Sequence, residues 1–80
     1  MAETVDPIKT QVAPFPAAGP SMWRGIIIGG NGEIRFSWFI QEGNDVKSFL
    51  DSMEKHAIES GFSERITNEL RGKFFHAVSG

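Results

Sequence analysis

Eighty residues with no cysteine and a net charge of −2 make one small domain and exclude several classes at the outset. Neither a disulfide nor a thiolate metal site is available, so the support that such small domains need falls to dense aromatic packing, for which there are seven Phe and two Trp, to self-association or to a partner. Eight basic residues are interspersed with ten acidic ones, which argues against a polyelectrolyte binder, and no apolar run approaches the roughly 20 residues that span a bilayer.

Met1–Pro20 holds all four prolines, Pro7, Pro14, Pro16 and Pro20. A residue before proline is pushed toward extended geometry, so this stretch reads as an extended or polyproline-type arm. Two readings compete for it: a solvated leader, or a segment that docks through Val5, Ile8, Val12 and Phe15. The acidic start MAETVDPIK lacks the basic and apolar regions of a secretion signal, so a cytoplasmic protein is expected. The domain proper is expected over residues 21–80.

Met22–Gln41 reads as two strands, about Met22–Ile28 and Glu33–Ile40, joined at Asn31-Gly32. Asn-Gly between β-rich runs is a hairpin signal, because both central residues of a type I′ turn take φ > 0. A two-residue turn sets the register: Ile28 opposite Arg35, Ile26 opposite Ser37, Arg24 opposite Phe39, Met22 opposite Gln41. The alternate face pairs Gly29 with Ile34, Ile27 with Phe36, Gly25 with Trp38 and Trp23 with Ile40. That face is almost wholly apolar and is assigned to the core, with the Trp38 indole lying across Gly25. Gly29, Gly30 and Gly32 also permit a longer loop, and a one-residue slip would exchange the faces. The first face mixes Arg24, Arg35, Ser37 and Gln41 with Met22, Ile26, Ile28 and Phe39. A solvated face has no need of that bulk.

Asn44 or Asp45 should cap a helix over about 45–60. Val46, Phe49, Leu50, Met53 and Ala57 form its apolar stripe, and Gly61 stands where a C-terminal cap belongs. Ser63 should cap a second helix through about Arg71, with Ile66 and Leu70 inward. Gly72 then divides two readings. Either the helix continues through Phe74, Ala77 and Val78, the favoured one, or Lys73–Val78 forms a short third strand.

Chemistry-bearing patterns are sparse. GGNG at 29–32 lacks the following Lys-Ser/Thr and helix of a phosphate loop and reads better as a turn. His56 and His76 have no partner at ligand spacing, the serines lack a nucleophile-elbow context, and Glu42 and Asp45 suit a helix start. No enzyme activity, metal or cofactor is expected.

The chain is therefore expected to be α+β: an antiparallel hairpin, with or without a third short strand, carrying two helices on one face after an extended Pro-rich arm. Its expected function is non-enzymatic protein binding, as an inhibitor or accessory subunit occupying a partner surface. Size alone suggests the kind of module that phages and mobile elements encode. The expected contact residues are Met22, Arg24, Ile26, Ile28, Arg35 and Phe39, joined by Phe15 of the arm. The partner is another protein or a second copy in a homodimer, with no membrane role. The alternative is a nucleic-acid-binding accessory protein using the same face, where aromatic side chains beside arginines can stack bases.

Overall fold

The computed structural model describes residues 8–43 and 45–79. Val5 and Asn44, expected as an arm anchor and a helix cap, lie outside them. Three strands, β1 (Lys9–Pro14), β2 (Met22–Ile28) and β3 (Ile34–Gln41), precede two helices, α1 (Val46–Glu59) and α2 (Glu64–Ser79). The strands form one antiparallel sheet with β2 in the centre. The fold is α+β, as the patterning implied, and both helices pack on one side of the sheet. α2 lies across β1 and β2, and α1 lies against β3.

The third strand comes from the arm. Ile8, Thr10 and Val12 alternate with Lys9, Gln11 and Ala13, a period-two pattern that turns the first set toward the helices. Thr10 is 5% exposed, and its hydroxyl donates to Glu69 Oε2 of α2 at 2.6 Å. A 3-10 turn at Pro16–Ala18 carries the chain into β2, with the Phe15 N–H donating to the Met22 carbonyl at 2.9 Å.

From Met22↔Gln41 to Ile27↔Phe36, the β2–β3 register is the one that a two-residue turn would set. The tip is different. The Gly32 N–H donates to the Gly29 carbonyl at 3.0 Å, and the Gly29 N–H to the Glu33 carbonyl at 2.9 Å. The loop is thus Gly30-Asn31-Gly32, and only Gly32 has positive φ, at 84°. This is a turn closed by one left-handed glycine, so the expected positive φ at Asn31 is overturned. The odd loop shifts the first pair to Ile28↔Ile34, and Arg35 then has no partner on β2 before Ile27↔Phe36 restores the register. Arg35 is a β-bulge.

The core joins Ile27 and Ile40 of the sheet to Leu50, Met53 and Ala57 of α1 and Ile66, Leu70 and Phe74 of α2. Gly25 is the contact point. A Cβ placed there would lie 2.3 Å from Phe74 Cε2 and 2.4 Å from Cζ. The side-chain-free strand surface is therefore filled by Phe74 from above, not by the cross-strand Trp38. Trp38 instead stacks on Phe36, with centroids 6.2 Å apart.

Asp45 stands before α1 with left-handed backbone, φ 68°, and makes no side-chain cap bond. A capping side chain bonds the first turn from extended backbone, so the expected Asp45 cap is not formed. At the other end, Gly61 takes φ 98° and donates to the Ile58 carbonyl, while Phe62 donates to Ala57. These two bonds close the helix as a Schellman motif. Ser63 Oγ accepts the Ile66 N–H at 3.2 Å and starts α2, which runs through Gly72, so Lys73–Val78 is helical.

Candidate functional site

Alternation along the strands decides what the uncovered side of the sheet carries. β1 contributes Lys9, Gln11 and Ala13, followed by Phe15; β2 contributes Met22, Arg24, Ile26 and Ile28; β3 contributes Ile34, Ser37, Phe39 and Gln41. No helix lies on this side among the described residues. Ile34 is 50% exposed and Phe39 41% exposed. Met22, Ile26 and Ile28 are half-buried by their neighbours on the same face.

The arm covers one corner. The Phe15 ring lies 5.4 Å from the Phe39 ring, and the Arg24 guanidinium carbon lies 5.0 Å above the Phe15 ring. The ring face thus receives the guanidinium in a cation–π contact. Beside it a shallow depression of about 200 Å³ is lined by Gln11, Ala13, Pro14, Phe15, Arg24 and Ile26. Lys9 and Arg24 are the charged side chains of the face, and no acidic residue shares it among the described residues.

Six of the seven expected contact residues, Met22, Arg24, Ile26, Ile28, Phe39 and Phe15, come together here. Arg35 does not. The bulge turns it to the helix side, where its guanidinium carbon lies 5.9 Å above the Phe62 ring and its stem crowds Gly29. Ile34 takes the open-face position instead, through its pairing with Ile28. Lys9, Gln11 and Ala13 also belong to the face. Their alternation with Ile8, Thr10 and Val12 was a strand signal that the flanking prolines masked.

The helical side exposes Phe49, Ile58 and Phe75 singly and is tied together by charge. Arg71 Nη1 of α2 donates to Asp51 Oδ1 at 2.9 Å and to Glu54 Oε1 at 3.3 Å, both on α1. The bond from Arg71, reinforced by Lys47, lowers the Asp51 pKa. The Thr10 hydroxyl, with the Lys73 charge nearby, lowers that of Glu69. A second depression of about 530 Å³ between β1 and α2 is lined by Val12, Asn68, Glu69, Gly72, Lys73, His76 and Ala77. Among the described residues, no group of three or more His, Asp or Glu side chains is placed to hold a metal ion, and no helix is long and apolar enough to cross a membrane. Comparison with protein-family models, with curated proteins and with solved structures finds no match for this chain.

Proposed function

We propose that this chain is a non-enzymatic protein-binding module that docks a partner protein on the open side of its sheet, as an inhibitor or accessory subunit. One observation carries the reading: both helices pack on one side, while the other side presents Met22, Ile26, Ile28, Ile34 and Phe39. Contiguous apolar surface of this kind characterises interaction sites. These side chains are already partly covered, so completing the burial of each contributes up to about half of the 1.5–3 kcal/mol of full burial, before the costs of association. Lys9 on the edge strand and Arg24 on the central strand leave the face with positive charge alone, which favours a partner bearing carboxylates.

A second reading rests on that same charge. Arg24 beside Phe15 and Phe39, with Lys9 farther along the face and no acid on it, also suits a nucleic-acid strand stacked on the rings. Affinity capture from the source cells with the full chain separates the two. The expected result is a protein partner whose retention persists at raised salt and is lost with Phe39→Asp or Ile34→Asp. Neither side chain belongs to the buried core between sheet and helices. Retention of nucleic acid that falls steeply with salt would favour the second reading. Partner retention unchanged in both variants would refute the open-face site.

A further inference from the structure

The two edges of the sheet are not equivalent. The Phe15 N–H bonds β2, and residue alternation then turns the main-chain groups of Thr10, Val12 and Pro14 outward from β1. That edge is blunted at both ends. The Thr10 carbonyl accepts Lys73 Nζ at 2.8 Å, and Pro14 has no N–H to offer. On the other side, the Glu42 N–H donates to the Ser21 carbonyl at 2.9 Å, so Ser37, Phe39 and Gln41 turn their main-chain groups away from β2. β3 has no strand beyond it among the described residues. The bulge and charge of Arg35 blunt one end of it, but from Phe36 to Gln41 it contains no proline, no charge and no bulge.

We propose that β3 pairs edge to edge with β3 of a second copy of this chain, antiparallel about a two-fold axis, to give one six-stranded sheet. The choice of a second copy rests on charge. Arg35 stands at one end of β3, and Glu42 follows its other end, both on the helix side. Antiparallel self-pairing brings Arg35 of each chain toward Glu42 of the other, twice over. Parallel self-pairing would set arginine beside arginine. Between these ends the outward residues Ser37, Phe39 and Gln41 are uncharged, so nothing repels along the seam. The pairing uses the edge of the sheet, and the partner site proposed above uses its open side, so the two stand independently. In the dimer both open sides face the same way.

The test needs only the purified full chain. Sedimentation equilibrium from low to high micromolar concentration should show reversible association to a mass of two chains. Ser37→Pro should abolish it while leaving the melting temperature of the dilute protein unchanged, because the Ser37 N–H takes no part in the ladder with β2. Arg35→Glu and Glu42→Arg should each weaken association roughly tenfold, since each replaces two attractive pairs by two repulsive ones. An equimolar mixture of the two variants should restore it, because the mixed dimer pairs opposite charges again. A wild-type mass of one chain at the highest concentration would overturn the proposal. So would association that Ser37→Pro leaves intact, or a mixture that associates no better than either variant alone.

Discussion

Gly25→Ala should be the most informative small change in the molecule. The added methyl carbon would sit 2.3 Å from Phe74 Cε2, 2.4 Å from Cζ and 3.1 Å from Leu70 Cδ1. Carbon atoms rest about 3.5 Å apart or more, so the Phe74 ring would have to withdraw by about 1.2 Å. It has nowhere easy to go, because Phe74 and Leu70 are both fully buried. Either α2 lifts from the sheet or the ring leaves its rotamer. Overpacking of this kind costs about 1–3 kcal/mol. An overlap of more than 1 Å against two fully buried side chains belongs in the upper half of that range, about 2–3 kcal/mol; alanine recovers up to about 1 kcal/mol of strand propensity, so the net loss should be at least about 1–2 kcal/mol. In a domain of this size, that corresponds to a fall in Tm of very roughly 4–16 °C. Thermal unfolding followed by circular dichroism and tryptophan fluorescence reads it directly. A double-mutant cycle identifies the cause: in a Phe74→Leu background, Gly25→Ala should cost at least about 1 kcal/mol less than in the wild type. A Gly25→Ala protein that melts with the wild type, or a cycle with no coupling, would refute the Phe74–Gly25 contact as the point where helix and sheet are fitted.

Two further perturbations test the helical side. Gly72 lies inside α2 with open space where a Cβ would stand, so Gly72→Ala should stabilise by about 0.5–1 kcal/mol, read as a higher denaturant midpoint at unchanged slope. Asp51 and Glu69 have lowered pKa values in the folded chain, so their contribution is complete above the ordinary carboxylate range and is lost as pH falls through the lowered values. Stability should therefore decline on acidification below that range. Glu69→Gln should flatten part of this decline in a pH series of melts, because an amide still accepts from Thr10 but does not titrate.

Hydrophobic periodicity was enough to read both helices, because their stripes bury large side chains at regular spacing. It also decided Gly72: burial of Phe74 two residues later outweighs the roughly 1 kcal/mol that a mid-helix glycine costs. Proline misled at the other end of the chain. Pro14 and Pro16 suggest an arm standing apart, yet Pro14 occupies an edge position where a missing N–H costs nothing, and the six residues before it alternate as a strand should. What the open face carries was legible wherever alternation alone decides it, from Met22 to Phe39. It was not legible at Arg35. A bulge leaves no compositional mark, and whether a glycine-rich tip closes over two residues or three depends on main-chain bonds that local propensity does not distinguish. The Gly25–Phe74 fit was half visible: a glycine in a strand announces a close approach, but not which distant side chain makes it.

The hairpin tip has a consequence for how this sequence can change in length. Its loop has one residue more than the shortest hairpin turn, and its bulge adds one residue to β3. Each is an odd step in a structure with period two, and together they cancel. Removing a loop residue alone, or Arg35 alone, would break that parity and force Phe36, Trp38 and Ile40 either to exchange faces or to generate a compensating bulge elsewhere. Removing one of each would preserve it: a chain lacking both Gly30 and Arg35 could close an Asn-Gly turn on an uninterrupted ladder and keep every core residue inward. Insertions and deletions in this hairpin are therefore tolerated in pairs, and related sequences should differ there by even counts.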